Sequence, residues 1–171
     1  MLVTRVLPHQ ALAYRALMLE AYAQAPDAFT STPEERAQAP ESFWVQRVDD
    51  PTGLSAVWGA WLDGALVGAV TLEGSARQKT RHKAQLLGMY VSAAARGQGA
   101  GRALLDAVIA HAQSQPGLLR LHLTVTEGNT PALRLYQAVG FETYGVEPMA
   151  VRTPEGFRGK VLMGRDVGLQ G

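Results

Sequence analysis

The chain contains no cysteine. That excludes disulfides, a thiolate nucleophile and every cysteine-ligated metal site. Charge is also sparse and balanced. Charged residues make up 18% of the chain, with 16 Lys and Arg against 15 Asp and Glu, for a net charge of +1. Composition therefore predicts no nucleic-acid partner and no anionic membrane surface. No apolar stretch approaches the roughly 18 residues needed to span a bilayer. The start, Met1 to Arg5, lacks a basic segment followed by an apolar run, so no secretory signal is read there. The four histidines, His9, His82, His111 and His122, lack metal-ligand spacing, and no metal is expected. No repeat or low-complexity segment occurs. What remains is the expectation of a soluble, cytoplasmic protein. A length of 171 residues, 47% of them hydrophobic, fits one domain spanning 1–171 with its own core.

Residues 2–7 alternate loosely as a first strand. Gln10 to Ala25 reads as a helix, with Ala11, Leu12, Tyr14, Leu17, Met18 and Ala21 at helical spacing. Thr30 to Glu35 carries a helix-start signal, with hydroxyl residues, Pro33 and two acids, and a short helix follows near Ser42–Val48. Ser55–Leu62 and Ala65–Leu72 flank Asp63-Gly64, a strong hairpin signal. After a basic loop at 75–83, Ala84–Ser92 reads as a strand and 102–114 as a helix. Leu118–Thr126 alternates, with Leu119, Leu121, Leu123 and Val125 on one side. Asn129-Thr130-Pro131 opens another helix, with Pro131 at its first position and Gly140 as its C-terminal cap. Two last strands are expected near Phe141–Met149 and Lys160–Asp166, and the final residues are expected to fray. This order predicts an α/β (α+β) fold, a mixed, mostly antiparallel sheet flanked by helices with one parallel crossover.

The segment Arg96-Gly97-Gln98-Gly99-Ala100-Gly101-Arg102 joins a strand to a helix. Glycines at alternate positions let a ligand approach the backbone closely, and the helix start offers unpaired N–H donors. Such a turn suits a pyrophosphate. It is not a dinucleotide fingerprint, because the third residue after Gly99 is Arg102, and it lacks the Gly-Lys-Ser/Thr of a nucleotide P-loop. On the glycines alone, a connector that binds nothing stays open.

The segment resembles the signature of the GNAT superfamily of acyl-CoA-dependent N-acyltransferases, Arg/Gln-x-x-Gly-x-Gly/Ala, with Arg96, Gly99 and Gly101 in register. The apolar run Gln85–Val91 precedes it as in that family. Asn129 through Phe141 resembles the second family block, in which an Asn opens a helix that closes on Leu135-Tyr136 and Gly140-Phe141. The resemblance covers about residues 2–166 in element order. It implies a GNAT-like fold and acetyl-CoA as co-substrate. Met89, Tyr90 and Val91 would hold the pantetheine arm with their backbone. The N–H groups of Gly97, Gln98, Gly99, Ala100, Gly101 and Arg102 would hold the pyrophosphate, with Arg96 in support. Asn129 and Ala132 would border the arm, and Tyr136 would face the thioester sulfur as general acid. On spacing alone Tyr136 also reads as a core tyrosine on an apolar helix face; the family block around it favours the catalytic role.

An amine must lose a proton before it attacks a thioester. Some family members use a carboxylate on the strand before the glycine turn, but 84–92 contains no Asp or Glu. Glu73, Glu127 and His82 are the candidates for a base acting through water, each also readable as a solvated loop residue. Direct transfer is implied, since neither cysteine nor a Ser-His-Asp pattern is present. The basic loop of Arg77, Lys79, Arg81, His82 and Lys83 reads either as a contact for the 3′-phosphate of CoA or an acidic substrate, or as a solvated face. Tyr22, Phe29, Phe43 and Trp44 read as pocket wall or as core, and Tyr144-Gly145 as a border of the acceptor slot. The expected function is acetyl transfer from acetyl-CoA to a small-molecule or protein amine. The alternatives are a non-catalytic acyl-CoA-binding regulator and an interaction module. Dimers are common in the family, so a homodimer stays open.

Overall fold

A computed structural model describes residues 1–168; the expected frayed end lies largely outside the described residues. Its elements run β1 (Leu2–Arg5), α1 (Ala11–Gln24), α2 (Pro33–Ala37), α3 (Glu41–Val48), β2 (Ser55–Leu62), β3 (Ala65–Glu73), β4 (Lys83–Val91), α4 (Ala100–Ser114), β5 (Arg120–Thr126), α5 (Thr130–Ala138), β6 (Glu142–Thr153) and β7 (Gly156–Asp166). The strands form one seven-stranded sheet in the order β1-β2-β3-β4-β5-β7-β6. Only the β4–β5 pair is parallel. The mixed, mostly antiparallel sheet expected from the sequence is the fold observed.

Local chemistry explains most boundaries. Asp63 and Gly64 turn the β2–β3 hairpin with φ of 49° and 81°, the positive pair that a type I′ turn requires. Thr32 caps α2 by accepting from the Glu35 N–H, and the Glu35 carboxylate accepts from the Thr32 N–H in return. The helix α4 begins at Ala100 rather than at 102, because Gly99 serves as its N-cap in a left-handed conformation. Thr130 rather than Pro131 is the first residue of α5, and Gly140, at φ 92°, ends it as expected. β5 starts at Arg120, leaving Leu119 exposed before the strand. The β6–β7 hairpin is longer than the sequence pattern indicates. β6 is an edge strand, largely exposed, so its alternation carries little signal.

The sheet separates two apolar layers. On one face α4 and α5 bury Leu104, Leu105, Val108 and Tyr136 against Val70, Leu86, Leu121 and Met163. On the other, α1 and α3 bury Tyr14, Met18 and Trp44 against Val57, Ala69 and Tyr90. Each fully buried large side chain contributes about 1.5–3 kcal/mol. Among the described residues no helix is long and apolar enough to cross a membrane.

Candidate active site

The parallel β4–β5 ladder is short. Lys83, Ala84 and Gln85 pair with Arg120, Leu121 and His122, and pairing then stops. A second irregularity drives the strands apart. Ala69 pairs with Tyr90 but Thr71 pairs with Leu87, so β4 carries an extra residue opposite Val70. The bulge centres on Gly88, whose φ is +63°. Around it a cleft of about 320 Å³ opens between the strands, lined on β4 by Gln85 to Met89. Its walls come from both faces of the sheet: Tyr14, Met18 and Tyr22 of α1 on one side, Ala132, Leu135 and Tyr136 of α5 on the other, with Met89 and Val125 between.

Asn129 and Tyr136 reach this cleft through α5. The Asn129 side-chain oxygen accepts from the Ala132 N–H at 3.3 Å, capping the helix and fixing the residue at the cleft wall. Tyr136 is buried, its ring set edge-on to Phe141 at 6.0 Å. The N–H of Phe141 donates to the Tyr136 carbonyl, which locks the end of α5. Burial pushes the Tyr136 phenol far above its ordinary range, so the hydroxyl stays protonated at any physiological pH. The Tyr136 hydroxyl is not one of the buried polar atoms left without a partner among the described residues, which are Trp44 Nε1, Trp61 Nε1, the Tyr90 hydroxyl and Arg165 Nη1.

The glycine-rich turn lies at the start of α4. Gly97 and Gly99 have φ of 77° and 82°, and nothing lies within 4 Å of the position a side chain would occupy on either. Their backbone is open to a ligand. Gly101 differs: a side chain there would meet Leu135 at 3.1 Å and Met89 at 3.4 Å, so this glycine lets α4 pack against α5 and β4. The flanking polar side chains brace the turn. Arg96 Nε donates to the Val91 carbonyl at 3.2 Å and Gln98 donates to the Ala94 carbonyl. Arg102 pairs with Asp106 at 3.1 Å. Met89 lines the cleft, whereas the Tyr90 side chain is turned into the α1–α3 layer.

The three sequence candidates for a base do not line the cleft. Glu73 is exposed at the far end of β3, paired with Ser55 and Gln85. His82 is in the exposed loop before β4, its carbonyl accepting from Leu119 and Arg120. Glu127 lies against Gly159. Among the lining residues none is Asp, Glu or His. His111 instead stacks near Trp58, at 4.8 Å between ring centres. Tyr22 and Phe29 line the cleft, Trp44 is core and Tyr144 is exposed on β6.

Several cleft residues escape sequence reasoning. The Tyr14 hydroxyl lies 3.4 Å from Thr71 Oγ1, beside the Gly88 bulge, and burial pushes its phenol up as well. Arg36, Arg47 and Lys160 contribute the cleft's positive charge. A lone glycine inside an apolar strand is a bulge signal, and Gly88 carried it. The arginines carried none, since they sit on separate short helices and meet only in three dimensions.

The match to the family model for the Acetyltransferase (GNAT) family covers residues 16–141, so the chain belongs to the GNAT family. It is 30% identical over 105 residues to the L-amino acid N-acetyltransferase AaaT of Escherichia coli K12, a match covering 61% of this chain and 64% of that protein. The chain thus matches less than two thirds of that relative's length. An acetyltransferase of the GNAT family from Streptococcus pneumoniae superposes with a TM-score of 0.81 at 26% identity, covering 98% of this chain and 99% of that one. A GNAT superfamily phosphinothricin acetyltransferase from Sinorhizobium meliloti, solved in complex with AcCoA, shares the fold with a TM-score of 0.84 at 19% identity, covering 98% and 88%.

Proposed function

We propose that the chain transfers an acetyl group from acetyl-CoA directly to a primary amine of a small molecule or protein, in the cytoplasm. The observation that carries this reading is the parting of β4 and β5, which opens a cleft, with Tyr136 in its wall, along the strand that runs into the glycine turn. The strand edge at Met89, Tyr90 and Val91 is suited to hold the pantetheine arm as an added strand. Gly97 through Arg102 supply backbone donors at a helix start for the pyrophosphate. Both features fit a CoA thioester, which supplies the activated acetyl group.

The chain's own residues then have distinct tasks. A β4 N–H near the Gly88 bulge is the candidate donor for charge developing on the carbonyl oxygen. Asn129 holds the wall opposite. Tyr136, protonated by virtue of its burial, is the candidate to give its proton to the departing sulfur as the carbon–sulfur bond breaks and the carbon–nitrogen bond forms. The amine's proton leaves through water, because the cleft wall offers no carboxylate or imidazole.

That same absence favours a second reading, a non-catalytic acyl-CoA-binding regulator. Amine-dependent release of free thiol from acetyl-CoA separates them. Release that depends on the amine and falls in Tyr136→Phe supports the transferase. Tight binding of acetyl-CoA with no release for any amine supports the regulator.

A further inference from the structure

We infer that the acceptor amine also carries a carboxylate, held by Arg36 and Arg47 on the α1–α3 side of the cleft; this rests on the acetyl-transfer reading above. The two arginines come from different helices, α2 and α3, yet converge on one ring. Their guanidinium carbons lie 4.7 and 4.8 Å from the centre of Phe43. Arg36 is also fixed by donating its Nε–H to Ser31 Oγ at 3.0 Å. Both are half-buried and both line the cleft. Among the described residues neither forms an ion pair; the ion pairs found are Arg102–Asp106, Arg120–Asp166 and Arg158–Glu155. Two like charges gathered on one ring repel each other, and a half-buried site screens that repulsion poorly. An anion between them would offset the cost, and a guanidinium fork matches a carboxylate with paired hydrogen bonds.

The position argues against a role toward the cofactor phosphates. The glycine turn opens α4, which packs on one face of the sheet, whereas α2 and α3 accompany α1 on the other. The charge balance points the same way. The cleft wall carries Arg36, Arg47 and Lys160 and no acid, so a bare alkylammonium is repelled. A zwitterion is net neutral and can enter by its carboxylate. Once it is bound, the surrounding positive charge favours the neutral amine over the ammonium, which is the form that attacks. That lessens the need for a base in the cleft.

The test compares the common L-amino acids with their amides and with the corresponding amines lacking the carboxylate, at equal concentrations of neutral amine. O-phosphoethanolamine is included to separate a carboxylate site from a general anion site. The wild type should favour a carboxylate-bearing amine by about 10-fold or more, and Arg36→Gln/Arg47→Gln should lose about 10- to 100-fold in kcat/KM for it. The thermal shift caused by acetyl-CoA should be unchanged in that variant, which also reports that it folds. Equal or better use of the amides or bare amines, a preference for O-phosphoethanolamine, or an unaffected variant overturns the inference and leaves acetyl transfer standing. If acetyl-CoA binds but no amine reacts, titration with the N-acetyl amino acids decides. Stabilisation of wild type but not of the variant supports the carboxylate site, and no stabilisation overturns it. No binding of acetyl-CoA and no thiol release overturns both readings.

Discussion

Thr126 donates its hydroxyl proton to the backbone carbonyl of Asp27 across 2.7 Å, joining the end of β5 to the turn at Pro26–Ala28, 99 residues earlier in the chain. The bond is buried at the Thr126 end and ties down the segment whose Ala28, Phe29, Thr30 and Ser31 wall the cleft. Thr126→Val keeps the shape and removes the donor. It should cost about 1 kcal/mol of stability. The measurement is a urea midpoint with an unchanged slope. KM for the acceptor should rise more than KM for acetyl-CoA, since the freed segment lies on the α1 side.

Gly99→Glu should abolish acetyl-CoA binding while the fold persists. The site has open space for a side chain, so no clash arises, but φ is 82° and a non-glycine residue there costs about 1–2 kcal/mol. At about 100 times its Kd, a ligand that binds only the native state adds about 2.7 kcal/mol of stability. A thermal-shift titration should show that gain for wild type and none for the variant. An equal shift in both would remove the glycine turn from the cofactor site.

Tyr136→Phe should reduce kcat by about 10²-fold or more and leave stability nearly unchanged, because the ring keeps its packing against Phe141 and its place in the cleft wall. The pH dependence has a definite sign. The folded phenol titrates above its unfolded value, so its stabilising contribution is complete below the unfolded pKa of about 10 and disappears as pH rises past it toward the folded value. Catalysis should therefore show no descending limb from Tyr136 below about pH 10. With no carboxylate or imidazole on the cleft wall, kcat/KM should climb with the neutral fraction of the acceptor amine. A break near pH 6 to 7, where neither feature predicts one, would point to a base elsewhere.

Gly88→Val tests the bulge. A side chain there meets Thr71 Oγ1 at 3.5 Å, Met18 at 3.7 Å and the Tyr14 hydroxyl at 3.9 Å, which are ordinary contacts. The penalty comes from the backbone, since φ +63° is disfavoured for a β-branched residue. The expected loss is about 1–3 kcal/mol, or else the strand flattens and the cleft narrows. Chemical denaturation together with acetyl-CoA titration tells these apart: a flattened strand keeps stability and loses binding.

Much of this was legible because it is local. Asp63-Gly64 dictates a hairpin through two positive φ values, Thr32 and Glu35 cap a helix within one turn, and Gly97 and Gly99 announce a backbone open to a ligand. The fold order follows from such signals in series. What the sequence concealed depends on separation. Arg36 and Arg47 become neighbours only when α2 and α3 dock over α1. Tyr14 finds Thr71 only through the β3–β4 register. Glu73, Glu127 and His82 read as bases because they sit next to strand ends, but nearness to a strand end in sequence does not put a side chain on the cleft wall. The edge strand β6 gave weak boundaries, since exposure on both sides erases the alternation that marks a buried strand.

Lys83, Ala84 and Gln85 are the positions by which β4 holds β5, midway across the sheet. In mechanical terms the sheet is two stiff plates, β1 to β4 and β5 to β7, joined by a short weld that unzips from its open end. Pulling the plates apart should break that weld before any antiparallel ladder yields. A pantetheine arm lying along β4 would lengthen it. The empty and occupied protein should then differ chiefly in rigidity, with amide exchange slowed at Leu87 to Met89 and along β5, and little changed in the β2–β3 hairpin.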